Sequence, residues 1–451
     1  MWTSSFAAES LGLIEFTHEA LKLDVQYQQA VLDKEIVDFR RDAGNNLFRN
    51  RFEFTPYLHR YDNDRPITAP SHFTDEGMRL GLTQYLPLGT ELSLGWDNAW
   101  ENTQSSGLAP DEKYTLSLSQ PLWRNQFGAA DRLKKQATEI QAQAEAARVR
   151  ATRAESCDRL SGVFVDAWTQ DQRALFVDKV YELASELFRR SQPAFRAGQI
   201  SRLDWLGVQS EYLNLRDQRS QAQNRAVQYR LRLTRAFPFA RDRQLVHPGD
   251  VLKTMEPNLE AAQSESPTFE ELYYKLLSEG LQRQAEAGRS QSHPKLDLKL
   301  SQQLSEGNLD AEPYDDRDFT ISLNLIWELN DNSVRAPYHI ARLEAEKQRL
   351  KSQELARTRR ERYQDQVLSL KGQAEQIEIE EERIGILAKI TDENRRRFLQ
   401  GRVDFQDFLR VNEQWFESQN RLLDKQANYW KSLARFSLLE NLAVPFCQEE
   451  L

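Results

Sequence analysis

Two aspartates raise the question of function. Asp204 stands in FRAGQISRLDWLGVQSEYL (residues 195–213) and Asp407 in FLQGRVDFQDFLRVNEQWF (residues 398–416). Each comes six residues after a glycine, Gly198 or Gly401, and the matched pairs lie 203 residues apart: Phe195/Phe398, Trp205/Phe408, Leu206/Leu409, Val208/Val411 and Tyr212/Trp415. A carboxylate at this spacing has two uses. Three residues after an N-cap, here Ser201 or Asp404, it can accept the cap residue's own N–H and close a capping box. Turned toward a water-filled lumen, it would instead put charge on the wall. Basic residues precede each glycine (Arg189, Arg190, Arg196; Arg395, Arg396, Arg397), as suits the negative end of a helix. The segment therefore reads as a helix–turn–helix tip, written twice.

Bond-making chemistry finds little else to use. The sequence has no Gly-rich phosphate loop, no HExxH and no Cys/His metal spacing. His18, His59, His72, His247, His293 and His339 are scattered, and Cys157 and Cys447 are too few for a disulfide framework. No catalytic residue, metal or cofactor is expected. The acidic run IEIEEERIG (Ile377–Gly385) reads as a solvated helix face. Net charge is −9 and no Lys/Arg cluster stands free of acids, which argues against nucleic acid as a ligand.

The elements that must position the tips come in two sets. Four segments alternate with period 2: Thr90–Trp100, Lys113–Trp123, Lys295–Ser305 and Phe319–Leu329. Leu94, Trp96, Trp100, Leu116, Leu118, Leu298, Leu300, Ile321, Leu323 and Trp327 fall on apolar faces, opposite Ser, Thr, Asn, Asp, Lys and Gln. Each strand is about 10–11 residues, the length that crosses a bilayer in a tilted barrel. A further pair, Arg51–Leu58 and Met78–Leu88, has no counterpart in the second half, and the pattern leaves open whether it joins that sheet. Between strands and tips, Leu122–Gly198 and Leu329–Gly401 would each run roughly 110 Å if helical throughout. The return helices are about half as long. Stacking a lead-in helix on each (roughly Ala8–Arg41 and Thr268–Arg289) evens the lengths, with the break near Phe237–Pro267.

The 451 residues are 39% apolar and 29% charged, which suits long exposed helices or wide wet surfaces better than one thick core. No apolar run approaches the ~18–20 residues of a membrane helix. MWTSSFAAES carries no basic and apolar leader pattern, so the reading is either a cytoplasmic protein or a mature form whose leader has been removed.

LSLSQPLW with FGAADR, RAGQISRLDWLGVQSEYLNLRDQ, and SPTFEELYYKLL with SHPKLDLKL resemble the TolC-like outer-membrane efflux proteins, in order and spacing and in both halves. The resemblance implies an α+β membrane protein. A homotrimer would make a transmembrane β-barrel of four strands per protomer, twelve in total, and a long α-helical barrel through the periplasm. A mixed equatorial domain would girdle the helices at their breaks. It implies two internal structural repeats, residues 1–237 and 268–440, joined by an equatorial linker at 238–267 and followed by a tail at 441–451.

The implied role is a passive exit duct for tripartite efflux or type I secretion. It would lie in the outer membrane of a Gram-negative bacterium, among outer-membrane lipid. A periplasmic adaptor would dock at the tips (Gly198, Ser201, Leu206, Gly401, Asp404, Leu409) and connect an inner-membrane pump. Asp204 and Asp407 carry over as a pore constriction. Arg410 replaces an acid of the family pattern and Val403 a basic residue, so Arg410 pairing with Asp204 or Asp407 is the expected substitute. Three carboxylates ~6 Å apart would repel by roughly 0.7 kcal/mol per pair in water and ~3 at an effective dielectric near 20, so a ring of them would bind cations. The rival reading is a soluble coiled-coil scaffold, which has no use for Leu- and Trp-faced strands interrupting its helices.

Overall fold

The computed structural model describes residues 10–45, 49–62, 72–103, 107–249, 267–309, 312–328, 332–400 and 402–439. The chain divides into two compact units. One comprises Asp33–Ala147 and Leu272–Gln353; the other comprises Met1–Leu32, Arg148–Glu271 and Glu354–Leu451. Among the described residues no helix is long and apolar enough to cross a membrane.

The first unit is organised by one antiparallel sheet. Its strands are β2 (Arg49–Asp62), β3 (His72–Tyr85), β4 (Glu91–Thr103), β5 (Gly107–Pro121), β7 (Lys295–Leu309) and β8 (Glu312–Ile326), in the order β2-β3-β4-β5-β7-β8. Among the described residues the sheet of one chain therefore has six strands, not the expected four. The Arg51–Leu88 hairpin joins it because β3 pairs with β4 through a tight turn, in which the Leu86 N–H donates to the Thr90 carbonyl at 2.8 Å. Strand pairing asks for an open edge and matching faces, and symmetry between the halves of the sequence does not enter. The strands run 13 to 15 residues. β8 begins at Glu312, inside what reads as a polar loop, and ends at Ile326, so Trp327 lies just beyond it. The Trp100 side chain and Leu329 lie outside the described residues.

Register carries the alternation straight across the sheet. One row reads Phe52, Leu82, Leu94, Leu116, Gln302, Phe319; the next reads Phe54, Leu80, Trp96, Tyr114, Leu304, Arg317. Leu118, Leu300 and Ile321 form another row, and Leu298 pairs with Leu323. On the opposite face runs Arg51, Thr83, Ser93, Ser117, Ser301, Thr320. The apolar face is open: Phe52 is 70% exposed, Ile321 63% and Leu323 63%.

The turn between β3 and β4 is seated on the turn that precedes α3 (Ala129–Arg196). Gly128 has φ +73, and a Cβ there would stand 2.3 Å from the Pro87 carbonyl oxygen, so the close approach requires glycine. Asn125 then caps α3, its Oδ1 accepting from the N–H of Ala130 at 2.9 Å.

In the other unit, α1 (Leu13–Lys22) packs Leu13, Phe16, Ala20 and Leu21 into a core with Phe164, Trp168, Trp430 and Phe436. β1 (Ser10–Leu11) pairs in parallel with β6 (Gln244–Leu245). The single lead-in helix expected over Ala8–Arg41 is two helices, α1 and α2 (Val25–Asn45). Asp24 makes the break. Its buried carboxylate accepts from the N–H of Tyr27 at 3.0 Å, Ser156 Oγ at 2.9 Å and Arg159 Nη2 at 2.5 Å. Burial opposes its ionisation, but these donors outweigh burial and hold the pKa below the usual value.

The remaining α-helices among the described residues are α4 (Arg202–Ala236), α5 (Phe269–Gln291), α6 (Asn332–Leu399) and α7 (Phe405–Leu439). α3 and α6 each have 68 residues and α4 and α7 each have 35. The first hairpin, α3–α4, and the second, α6–α7, thus have identical arm lengths.

Candidate functional site

The two tips form from local rules. In the first, Gly198 adopts φ +72, the left-handed conformation that ends a helix with least strain when no Cβ is present. The Gln199 N–H donates to the Ala194 carbonyl at 2.9 Å and that of Gly198 to Phe195 at 3.0 Å, which is a Schellman ending. Ser201 then caps α4. Its Oγ accepts from the Asp204 N–H at 3.1 Å and donates to Asp204 Oδ2 at 2.6 Å, while its N–H donates to the same carboxylate at 3.3 Å. In the second tip the Arg402 N–H donates to Arg397 at 2.9 Å, five residues back, as Gln199 does. Asp404 caps α7, accepting from the Asp407 N–H at 2.8 Å. Gly401 lies outside the described residues.

Matching aromatics stack across each turn, Phe195 on Trp205 at 5.3 Å and Phe398 on Phe408 at 5.5 Å. Phe398 and Phe408 then join Leu187 and Val208 in a small core that ties the second hairpin to the first, with Leu409 packed against it. Leu206, the sequence counterpart of Leu409, is exposed. Behind the turns lies a cavity of about 170 Å³ whose lining includes Leu187, Glu211, Leu215, Phe408, Asn412 and Trp415. Burial pushes the Glu211 carboxyl up, only partly countered by a hydrogen bond from Asn214.

The two aspartates do different work. Asp204 is engaged in its cap. Asp407 is more than half exposed and pairs with Arg410, Nη2 to Oδ1 at 2.7 Å. Of the two partners expected for Arg410, this pairing is with Asp407.

The acidic run at Ile377–Gly385 is not uniformly solvated. Glu378, Glu381 and Glu382 are exposed, but Glu380 is buried. It accepts from Ser418 Oγ and from Lys425 Nζ at 2.9 Å, with Arg421 Nε at 3.4 Å. Burial opposes the charge, yet these donors hold the Glu380 pKa at about 2. The run itself could not single out Glu380. A signal was available in the small Ser418, which breaks the bulky pattern of α7 at the position facing it.

No family model matches the sequence, and no curated protein is detectably similar to it. Solved structures are similar over nearly the whole chain. The open-state MtrE outer-membrane channel of Neisseria gonorrhoeae is 13% identical, with 100% of this chain and 95% of that one covered and a TM-score of 0.67. The Campylobacter jejuni outer-membrane channel CmeC is 13% identical, covers 97% and 87%, and gives 0.66. The Vibrio cholerae outer-membrane protein VceC is 11% identical, covers 95% and 96%, and also gives 0.66. With an antiparallel sheet open on its apolar face, two long helical hairpins and this likeness along its length, the chain has the TolC-like fold of outer-membrane channels.

Proposed function

We propose that the chain is a channel-tunnel of the outer membrane of a Gram-negative bacterium, a passive exit duct reaching into the periplasm. In this reading it is a homotrimer. Its two halves act as structural repeats (1–237 and 268–440) about the linker at 238–267, a periplasmic adaptor meets the tips, and an inner-membrane pump supplies the cargo for tripartite efflux or type I secretion. The observation that carries it is the sheet. Leu94, Trp96, Leu116, Leu118, Leu298, Leu300, Ile321 and Leu323 share one face across adjacent strands, and Leu94, Leu116, Ile321 and Leu323 are exposed while the others are half-buried. Facing lipid, that surface is satisfied; facing water, it is a large exposed apolar patch. At ~3.4 Å per residue, strands of this length reach well across a ~30 Å hydrocarbon core even when tilted. A coiled-coil scaffold leaves the sheet unexplained.

Purified protein should need detergent and conduct ions after insertion into a planar bilayer; a detergent-free monomer without conductance would sink the reading. Within it, Asp204, Asp407 and Arg410 line the periplasmic constriction, and Gly198, Ser201, Leu206, Gly401, Asp404 and Leu409 form the adaptor's footing. Asp407→Ala leaves Arg410 without its acid, so single-channel cation selectivity should fall further for Asp407→Ala than for Asp204→Ala. Unchanged selectivity in both removes the pair from the constriction.

A further inference from the structure

We propose that the β2 edge of one copy pairs with the β8 edge of the next, so that three copies close a barrel of eighteen strands rather than twelve. The inference rests on the trimeric channel reading above, and it turns on the hairpin β2–β3.

That hairpin is an integral part of the sheet. β3 is paired with β2 from His72 to Tyr85 and with β4 from Phe73 to Tyr85, with no break in register. Its faces are in phase with the other four strands: Phe52 and Phe54 continue the apolar rows, and Arg51 and Thr83 continue the polar one. Side chains fasten it on the polar face. Tyr57 reaches across β3 to donate to Asp97 Oδ1 on β4 at 3.1 Å, and Arg79 holds Asp97 Oδ2 at 2.7 Å through Nη2 and 2.9 Å through Nε. Gly77 makes room for this. A Cβ at Gly77 would stand 2.6 Å from the Tyr57 ring and from the Asn98 carbonyl oxygen.

Occupying the outer edge of β4 removes the seam that a four-stranded protomer would use. The edges left are β2 and β8. In a sheet of six alternating strands these two run antiparallel to each other, so joining β8 of one copy to β2 of the next keeps alternation unbroken around the ring. The edges match in length, 14 and 15 residues, and both present apolar side chains on the same face. Backbone groups left unpaired in hydrocarbon have no water to bond to, so within a bilayer both edges need a partner strand. Closure inside one chain would give six strands, fewer than the eight of the smallest outer-membrane barrels. Pro56 takes one donor from β2 and leaves the others. Barrel diameter grows roughly in proportion to strand number, so the ring is about 1.5-fold wider than a twelve-stranded one.

Cysteine pairs test the seam in the full-length trimer. Arg51→Cys, Glu53→Cys or Thr55→Cys on β2 is combined with Asp318→Cys, Thr320→Cys or Ser322→Cys on β8, a panel that spans several registers. Ser93→Cys on β4 with the same β8 positions is the comparison, and each single variant controls for Cys157 and Cys447. The expected result is oxidation to dimer- and trimer-sized bands for at least one β2–β8 pair and none for β4–β8, with a barrel in projection about 1.5-fold wider. Trimers in which β4–β8 pairs link, or in which no β2–β8 pair does, overturn the seam and leave the channel standing. A detergent-solubilised monomer that links through no pair overturns both.

Discussion

The two helical hairpins have identical arm lengths, yet they hold their arms together differently. In the second, buried Glu380 on α6 faces Ser418, Arg421 and Lys425 of α7. The residues 203 positions earlier are Val177, Leu215, Gln218 and Ala222, and Val177, Leu215 and Ala222 are buried. At these positions one hairpin uses a buried ion network where the other uses apolar contact; the first hairpin's own cross-arm ion pairs, Arg219–Asp178 and Arg230–Asp171, leave their carboxylates 35% and 20% exposed, against 4% for Glu380. The difference teaches what each can tolerate. Apolar contact is set by shape, and ion pairs left partly in water are screened, so neither makes one buried group decide the register of the first hairpin. A buried carboxylate served by three donors has few acceptable positions, and a slide strands it. The second hairpin is the one whose register depends on a fully buried charge, a role attested for some buried polar groups and testable here.

The strongest way to break the comparison is to remove the donors and keep the acid. Arg421→Gln with Lys425→Ala should cost about 3–5 kcal/mol, as breaking buried pairs does. Hydrogen exchange should quicken along α6 and α7, while the changes Gln218→Ala and Ala222→Ser in the first hairpin should do far less. Acid comes next. Glu380 is held at about 2 in the folded chain against an ordinary value near 4.5, so its contribution is complete above pH ~4.5 and is lost as pH falls toward 2. That amounts to about 3 kcal/mol of local stability, read as faster exchange in the second hairpin on acidification with no matching term at Val177. Grafting the first solution onto the second, Glu380→Val with Ser418→Leu, Arg421→Gln and Lys425→Ala, should be neutral or stabilising by about 1–2 kcal/mol. If the network fixes register, disulfide trapping between α6 and α7 should then succeed at more than one pairing.

The smallest effects are at the tips. Ser201→Ala opens the capping box and should cost about 1 kcal/mol. Asp407→Asn breaks only an exposed ion pair and should cost about 0.5 kcal/mol or less. Exchange at the first turns of α4 and α7 separates the two. The contrast follows from the caps themselves. Ser201 has a proton to give to Asp204, whereas Asp404 has none for Asp407, and the acid turns to Arg410 one turn along.

What could be read from the sequence tracks what is local. The N-caps Ser201 and Asp404, the left-handed Gly198 and the alternating strand faces depend on neighbours within a few residues, and each is where the pattern put it. What was missed depends on partners far along the chain. The break at Asp24 has a local part, its cap on the Tyr27 N–H, but the partners that let it be buried, Ser156 and Arg159, are more than a hundred residues away. Glu380 looks like its exposed neighbours until α7 is laid beside it. The Arg51–Leu88 hairpin reads as a surplus because symmetry between the halves has no place for it, while the open edge of β4 does. β8 hides its first residues in EPYDDRD, where charge masks the alternation.

The hairpin β2–β3 also says something about how such a wall can change over evolutionary time. A single added strand would bring two parallel neighbours face to face at every copy boundary and spoil the closure. A ribbon that turns back on itself leaves the terminal edges pointing as before. In the proposed ring, lengthening the segment ahead of β4 by one such fold therefore adds two strands per copy in a single inherited step.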